Sequence, residues 1–416
     1  MKEIARRPDE VRGLSDLAFR ELADAMGGIG SIHRAIARRA FGGIGPMAQP
    51  VELIHDAVSV GVYAGLRGGS AVLGRGAGEA LARRARAEGR ELSTTPRGSA
   101  LLAAVNGLMG DVLEREESDL QEPMAVRVSG QVVTPEPGAL ASAFPEATPH
   151  LVVFLHGLME TEFAWRLGSA RQGGTYASRL AEDLGCTPVD VRYNSGRHIS
   201  ENGRSLAELM EALVDAWPVE VERIALVGHS MGGLVARSAC HYAGADDARW
   251  VGRVRHVVSL GSPHMGAPLE QAVHLASAAL GALPEIRPFG AVLRRRSAGI
   301  RDLRQGSLVD EDWRGCDPDA LRAAALTEVP PLEGATHCFV AATISRSARH
   351  PVGRLLGDAL VLEASASGRG RDRRIPFRVE NGMHAGGTHH LALLNHPDVY
   401  ERLREWLATE PVSPAG

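Results

Sequence analysis

The sequence predicts an α/β protein with a mostly parallel sheet flanked by helices. Five apolar runs have the length of strands: LVVFL (151–155), PVDVRY (188–193), RIALVG (223–228), RHVVSLG (255–261) and HCFVAATIS (337–345). Helical stretches such as 206–214 and 233–242 separate most of these runs. Strands that alternate with helices in this way are typical of a parallel sheet.

Chain length allows one large α/β domain and an accessory region, because there are 416 residues. We expect residues 1–120 to form an N-terminal helical region with glycine-rich breaks, and residues 121–416 to form the α/β domain. Residues 124–133 alternate as a strand does and are predicted to be its first strand. The segment 262–336 is long for a connection, so we expect a cap insertion at about 265–335.

Charge and cysteine content exclude several classes of function. The net charge is −4 and no strongly basic domain stands out, so we do not expect nucleic acid as a partner. The four cysteines are widely spaced and form no C-x-x-C pair. Neither a zinc site nor a disulfide framework is therefore expected.

The sequence gives little sign of a membrane-spanning segment. The start, MKEIARRPDEVRG, has no apolar run, so we expect no secretory signal and a cytoplasmic protein. The most apolar stretch, 57–66, is too short to span a bilayer. Gly61 and Gly65 are four apart, which fits either close helix packing or an interfacial helix. Peripheral membrane contact is therefore left open, and the oligomeric state is not indicated.

The segment IALVGHSMGGLVARSA (224–239) contains the pattern G-x-S-x-G around Ser230. A predicted buried strand precedes the serine and an amphipathic helix follows it. In such a turn the serine has a strained backbone and its hydroxyl projects above the sheet edge. Gly228 and Gly232 are expected because a side chain there would clash with neighbouring backbone. We interpret Ser230 as a nucleophile; a helix-capping serine in an ordinary turn is the alternative.

A serine hydroxyl needs a base and donors for the oxyanion. The strand 151–155 leads directly into His156-Gly157-Leu158, a turn that can direct a backbone N–H across the site. The N–H groups of Leu158 and of Met231, immediately after the serine, are the candidate donors. His156 is predicted to brace the turn, with a role as base as the alternative.

The base is predicted in GGTHHLALLNHPDVYERLREWL (386–407), where His389 and His390 end a glycine-rich loop. Such a loop gives a histidine the reach to approach the serine, and we prefer His390 to His389. His384 and His396 are expected to be solvated loop residues.

The acid is predicted to be Asp358, which directly follows Gly357 and keeps the chain order serine, acid, histidine. Glu363 is the alternative. The run Asp310-Glu311-Asp312 is expected to form a solvated face instead. His264, near a strand end, is expected either to pack structurally or to line the site.

The chain resembles bacterial lipases and esterases of the α/β-hydrolase superfamily, close to the GPI inositol-deacylase branch. The resemblance covers about 150–407 and is carried by these motifs: HGL (156–158), RYNSGRHISENG (192–203), GHSMGG (228–233), SLGSPHMGAPLE (259–270), GDALV (357–361) and HHLALLNHPDVY (389–400). It implies the same roles as the residues themselves: Ser230 as nucleophile, Asp358 as acid, His390 as base, and Leu158 and Met231 as oxyanion donors. Two positions depart from the pattern, because many relatives have glycine at Ala359 and asparagine at His389.

Fold and site together predict an α/β-hydrolase fold with an N-terminal helical region and a cap insertion. The expected activity is hydrolysis of carboxylic esters, with lipid-like or other acyl-chain substrates, through an acyl-enzyme. This chemistry needs no metal and no organic cofactor. Acyl transfer by the same triad, and a non-catalytic scaffold or lipid-binding protein, are the alternatives.

Within the insertion, residues 269–283 place Leu269, Val273, Ala276 and Leu280 along one helical face. In lipases this region forms a cap over the acyl pocket, so we expect a cap here, with ordinary packing onto the sheet as the alternative.

Overall fold

A computed structural model describes residues 10, 91–267, 297–317, 326–347, 350–370 and 373–409. Two compact units are present. The larger comprises residues 93–114, 121–271 and 297–416 and contains the sheet. The smaller comprises residues 1–92, 115–120 and 272–296.

Strands and helices alternate through the described residues. The strands are β1 (Ala125–Val128), β2 (Gln131–Val133), β3 (His150–Leu155), β4 (Thr187–Arg192), β5 (Arg223–His229), β6 (Val254–Leu260), β7 (Thr336–Thr343) and β8 (Gly382–Gly386). The α-helices are α1 (Pro96–Arg115), α2 (Pro137–Ala143), α3 (Tyr176–Leu184), α4 (Ile199–Ala216), α5 (Met231–Ala245), α6 (Ala298–Leu303), α7 (Pro351–Leu356), α8 (Glu363–Ala366) and α9 (Pro397–Ala408). Short 3₁₀ helices include Glu162–Arg166, Asp310–Asp312 and His390–Leu393.

The described strands form one sheet of eight, in the order β2-β1-β4-β3-β5-β6-β7-β8. β1 runs antiparallel to both of its neighbours, and the strands from β4 to β8 pair in parallel. The carboxyl ends of the parallel strands therefore meet at one edge of the sheet, where functional loops of open α/β sheets gather. The predicted mostly parallel sheet flanked by helices is confirmed.

The sheet is buried on both faces, which explains why its strands are continuous apolar runs. In β3, Leu151 and Val153 contribute to one core while Val152 and Phe154 contribute to the other. The first core includes side chains from α4 and α5, among them Leu206, Met210 and Leu234. The second includes side chains from α3 and α9, among them Leu180, Tyr400 and Leu403. Burying each such leucine contributes roughly 1.5–3 kcal/mol.

The sheet differs from the prediction in two strands. The single strand predicted over 124–133 is a hairpin, because Ser129 and Gly130 both have positive φ and turn the chain between β1 and β2. The strand β8 was not predicted, because GMHAG has few apolar residues and two glycines. Its Gly382 faces the Phe339 ring, which lies 2.3 Å from the position a Cβ would take.

The run Asp310-Glu311-Asp312 was expected to form a solvated face, and this prediction is wrong for two of its members. Asp310 and Asp312 are buried, whereas Glu311 is exposed. Asp312 accepts hydrogen bonds from the amides of Leu308 (2.8 Å) and Thr327 (2.7 Å), so its carboxylate organises local backbone. The Asp310 carboxylate pairs with two arginines, Arg204 at 2.9 Å and Arg314 at 3.0 Å.

Several predictions concern residues outside those described. They are the helices before residue 91, including the glycine-rich stretch from Gly61, and the proposed cap helix 269–283. Among the described residues, none of the helices combines the length and the apolar character that crossing a bilayer requires.

Candidate active site

Ser230 occupies the turn between β5 and α5, at the carboxyl edge of the sheet. Its backbone has φ 51° and ψ −119°, a conformation that costs a non-glycine residue on the order of 1–3 kcal/mol. The Ser230 amide donates to the Leu260 carbonyl at the end of β6, at 2.8 Å, which helps to hold the turn in place. The strained turn expected from the sequence is therefore present.

Two glycines make this turn possible. A Cβ on Gly228 would lie 2.2 Å from the Gly233 nitrogen, and one on Gly232 would lie 2.2 Å from the Leu155 carbonyl oxygen. Real Cβ atoms do not approach backbone so closely, and backbone cannot give way as a flexible side chain can. The predicted need for glycine at both positions is confirmed.

His390 and Asp358 form a buried hydrogen-bonded pair. His390 Nδ1 lies 2.7 Å from Asp358 Oδ2, and the side chains are 5% and 1% exposed. The other carboxylate oxygen of Asp358 accepts from the amides of Leu360 (3.0 Å) and Val361 (2.8 Å). Because an ionised carboxylate only accepts, His390 Nδ1 carries the hydrogen of this bond. In the neutral ring Nε2 is then left as the acceptor that a general base needs.

The competing candidates lie elsewhere. His389 is exposed, and Glu363 pairs with the exposed Arg369. His384 is exposed and lies 2.9 Å from the Thr343 hydroxyl, while His396 is half-buried at the start of α9. Of the histidines and acids weighed for these roles, the structure pairs only His390 with Asp358.

A tight turn aims Asp358 at the histidine. Gly357 has φ 57°, and a Cβ there would lie 1.9 Å from the Val361 carbonyl oxygen. Ala359 has φ 84°, in the left-handed region that favours glycine. This conformation makes Ala359 a strained residue in this chain.

The turn at Ser230 and the side chain of His390 both pack around the end of β6. A Cβ on Gly261 would lie 3.2 Å from both Cε1 and Nδ1 of His390. The ring of His229, next to Ser230, contacts the ring of His390 at a tilt of 44°, with the centroids 4.8 Å apart. Among the described residues no hydrogen bond joins the Ser230 hydroxyl to His390. Without substrate, catalytic hydrogen bonds are often longer than in the reacting complex.

The turn that follows β3 lies directly against Ser230. A Cβ on Gly157 would be 3.1 Å from Ser230 Cβ, so a larger residue there would require the two turns to shift by a few tenths of an ångström. The amides on either side of Leu158 are anchored: Gly157 N donates to Glu160 Oε2 at 2.7 Å, and Met159 N donates to Ser195 Oγ at 3.0 Å. The Leu158 amide lies between them, and the Met231 amide opens helix α5, where the first amides have no partner inside the helix.

His156 braces this turn, as predicted. Its ring is fully buried and stacks on Tyr193, with centroids 4.3 Å apart. Nδ1 contacts the Gly157 carbonyl at 2.9 Å, and Nε2 accepts from the Tyr193 amide at 3.2 Å. Burial lowers the pKa of His156, so the ring is neutral and both of its nitrogens are occupied.

Glu160 and His229 form a second acid–imidazole pair, which the sequence analysis missed. His229 Nδ1 lies 3.0 Å from Glu160 Oε2, the same oxygen that accepts from Gly157 N. Burial acts to raise the pKa of Glu160, but the charge and hydrogen bond of His229 lower it to about 2. Burial acts to lower the pKa of His229, but the charge and hydrogen bond of Glu160 raise it. The ion pair therefore links the turn after β3 to the turn at Ser230.

A mostly parallel sheet flanked by helices, with a strained serine between β5 and the helix that follows it, defines the α/β-hydrolase fold. The chain has this fold. The family profile of the PGAP1-like alpha/beta domain matches residues 190–279, which contain the serine turn, in agreement with the resemblance seen in the motifs.

Solved structures with likeness to the chain include bacterial and archaeal lipases and esterases. The mature lipase BlEst2 of Bacillus licheniformis is 17% identical, with 62% of this chain and 91% of that chain covered and a TM-score of 0.42. EstA of Clostridium botulinum is 15% identical, with 64% and 89% covered and a TM-score of 0.38. An esterase of Pyrobaculum calidifontis is 16% identical, with 77% and 91% covered and a TM-score of 0.36. Comparison with curated proteins gives no match.

Proposed function

We propose that the protein is a serine hydrolase that cleaves carboxylic esters through Ser230, His390 and Asp358. The observation that carries the proposal is the buried His390–Asp358 hydrogen bond beside a serine held at φ 51°. A carboxylate that fixes the tautomer of an imidazole is the arrangement by which a histidine activates a serine. In an ordinary loop, neither His390 nor Asp358 would need to be buried or to be held in one orientation by hydrogen bonds.

In the proposed acylation step, the Ser230 hydroxyl oxygen attacks the ester carbonyl carbon while His390 Nε2 takes its proton. Asp358 stabilises the imidazolium that forms and is not itself protonated. The carbonyl oxygen becomes an oxyanion that the amides of Leu158 and Met231 stabilise. The tetrahedral intermediate then collapses, the alcohol leaves with the proton from His390, and an acyl-serine remains.

Deacylation uses the same groups. His390 takes a proton from water, the resulting hydroxide attacks the acyl-serine, and the carboxylic acid leaves as Ser230 regains its proton. Each step is complete with the protein groups and water alone. Removing one oxyanion donor in such a site costs about 10²–10³ in turnover, so the placement of the Leu158 amide is a large part of the proposed rate.

We place the substrates among lipid-like esters with acyl chains, on the basis of the resemblance of the sequence motifs to those of lipases and esterases. A lipid ester would be presented at a membrane surface, so peripheral contact with membranes belongs to the same proposal. Hydrolysis of p-nitrophenyl esters from acetate to palmitate tests this part. A rate that rises with chain length supports it, and activity confined to acetate contradicts it.

The nucleophile is tested by labelling with a fluorophosphonate probe. Wild-type protein should be labelled, Ser230→Ala should not, and its ester hydrolysis should fall by about 10⁶. Ser262→Ala is the matched control, because Ser262 is buried near the same turn and lies outside the proposed triad. Labelling that persists in Ser230→Ala would identify a different serine.

Formation of a new ester in the presence of added alcohol would instead indicate acyl transfer.

A further inference from the structure

Arg237 lies on α5, two turns beyond the nucleophile, and is 4% exposed. One guanidinium nitrogen donates to the Val329 carbonyl at 2.7 Å, and another lies 3.4 Å from His264 Nδ1. Its Nε has no hydrogen-bond partner among the described residues. No carboxylate of the described residues forms an ion pair with Arg237. Within the part of the chain that the structure describes, this buried cation has no counter-charge.

A second guanidinium lies close to the first. Arg373, half-buried, donates to the His264 carbonyl at 2.6 Å and to the Gln305 carbonyl at 3.3 Å. His264 therefore contacts Arg237 through its ring and Arg373 through its backbone. The ring of His264 is fully buried, and its Nε2 also lacks a partner among the described residues. His264 thus packs away from the Ser230 site, beside these two arginines.

The other groups that face Arg237 add no negative charge. Burial, and then the charge of Arg237, lower the pKa of both His264 and His337, the latter to about 3, so both rings are neutral. Burial raises the pKa of the Cys240 thiol to about 12, which keeps it neutral too. Burial and the charge of Arg373 lower the pKa of Arg237 to about 9, which still leaves it charged at pH 7.

Two carboxylates of the described residues act on Arg373. The charges of Asp312 and Glu328 act to raise its pKa against the effect of burial. Glu328 is exposed at the rim of the cavity described next and forms no ion pair with Arg237 or Arg373 among the described residues. Leaving a charge buried and unpaired costs several kcal/mol, so a counter-ion from solution would be strongly favoured here.

A small cavity is lined by both arginines, with the exposed Arg374 and Glu328 also among its lining residues. Its volume is about 40 Å³, and its lining includes Arg237, Arg373, Leu308, Val329 and Ile375. A single water needs roughly 10–15 Å³ of such volume, so the cavity has room for about three waters or for one small anion. A phosphorylated metabolite or a lipid headgroup would not fit.

We propose that an inorganic anion of the size of chloride binds in this cavity, between Arg237 and Arg373. Guanidinium is weakly hydrated and therefore well suited to pair with an anion away from water. The anion neutralises the buried cation and joins α5 to the loop that carries His264. That loop begins at Gly261, which packs against His390, so the anion also steadies the framework behind the base.

The first test is thermal unfolding of the full chain in sodium chloride, with sodium gluconate added to keep the ionic strength constant. Gluconate is too large for the cavity. The melting temperature of the wild type should rise by about 1–2 °C for each tenfold increase in chloride. Arg373→Gln should lose this dependence. Arg378→Gln, an exposed arginine outside the cavity with the same charge change, should keep it. Equal dependence in all three proteins would overturn the proposal.

A second variant and a direct measurement test the site even if Arg373→Gln fails to fold. Arg237→Met removes the buried charge, so it should unfold independently of chloride and lose nothing when chloride is absent. Crystals grown in bromide should show an anomalous peak between the two guanidiniums, about 3.3 Å from their nitrogens. Bromide found only at surface arginines, or a wild type that is indifferent to chloride, would refute the site without bearing on the activity of Ser230.

Discussion

Asp358 bears the charge on which the proposed base depends. It accepts two backbone amides on one oxygen and His390 on the other, so Asp358→Asn keeps its shape while it removes the charge and favours the wrong tautomer of the histidine. Turnover of a short-chain ester at neutral pH should fall by about 10⁴, as it does for the same change in a serine protease.

Glu363→Gln is the matched control for this prediction. The Glu363 carboxylate pairs with Arg369, which is exposed, and is not part of the buried pair. Its loss should change turnover by less than about twofold, as is usual for a surface substitution. A crippled Glu363→Gln beside a nearly normal Asp358→Asn would show that the acid is wrongly assigned, although Ser230 and His390 could both remain correct.

The backbone strain in the turn that carries Asp358 predicts how substitutions there change the free energy of unfolding. Ala359 has φ 84°, so Ala359→Gly relieves strain of roughly 1–2 kcal/mol and loses roughly 0.4–1 kcal/mol through the freer unfolded chain. A small net stabilisation is expected in urea unfolding. Gly357→Ala should instead destabilise, because its Cβ would meet the Val361 carbonyl at 1.9 Å. Stabilisation by Gly357→Ala would mean that the turn has another conformation.

Two elements of the site are joined by the Glu160–His229 pair, which links the turn after β3 to the turn after β5. Glu160→Gln should let the Leu158 amide move, and a misplacement of 1 Å can cost about 10² in rate. We therefore expect kcat to fall by roughly 10–100-fold while KM changes little. A fall in KM alone would show that the pair does not position the reacting groups.

The same pair predicts a pH dependence of stability. The folded pKa of Glu160 is lowered from 4.5 to about 2, so its contribution is present above pH 4.5 and is lost as the pH falls toward 2. The folded pKa of His229 is raised above 6.5, so its contribution is present below pH 6.5 and is lost as the pH rises through the folded pKa. Melting curves should show the largest gap between wild type and Glu160→Gln at pH 4.5–6.5. A gap that grows above pH 8 would contradict the ion pair.

Across the whole molecule, the sequence predicted the features that local pattern controls. Alternating apolar runs give the parallel strands, and the G-x-S-x-G spacing gives the strained turn at Ser230, because both depend on neighbouring residues. The pairing of His390 with Asp358 was predicted from chain order, and the structure brings these two side chains together. The assignment of all five site residues to catalysis remains a prediction.

Features that depend on distant residues could not be predicted. Glu160 and His229 are 69 positions apart, and the pairing of β3 with β5 in the sheet brings them together. Strand β8 has almost no apolar signal, and it forms because β7 offers it a free edge. The sequence pattern around Arg237 indicates only an ordinary helix residue. Its burial becomes visible only when the loops carrying Val329 and His264 are placed against it.

Helix α1 supplies the last prediction, which concerns where the α/β unit begins. The sequence placed this boundary at residue 121, whereas residues 93–114 belong to the compact unit that contains the sheet. Three buried donors of that unit depend on this segment. Arg192 donates to the Ser93 carbonyl (2.8 Å), Asn194 to the Gly110 carbonyl (2.9 Å) and the Glu122 amide to Asn106 Oδ1 (3.0 Å).

A fragment of residues 121–416 lacks these three acceptors, and each lost hydrogen bond costs about 1–3 kcal/mol against a total stability of about 5–15 kcal/mol. We expect it to be unfolded or insoluble, whereas a fragment of residues 93–416 should fold and react with a fluorophosphonate at Ser230. Circular dichroism and probe labelling of both fragments decide the matter. A folded, labelled 121–416 fragment would show that α1 is dispensable, and a folded 93–416 fragment that is not labelled would show that the site needs residues before 93.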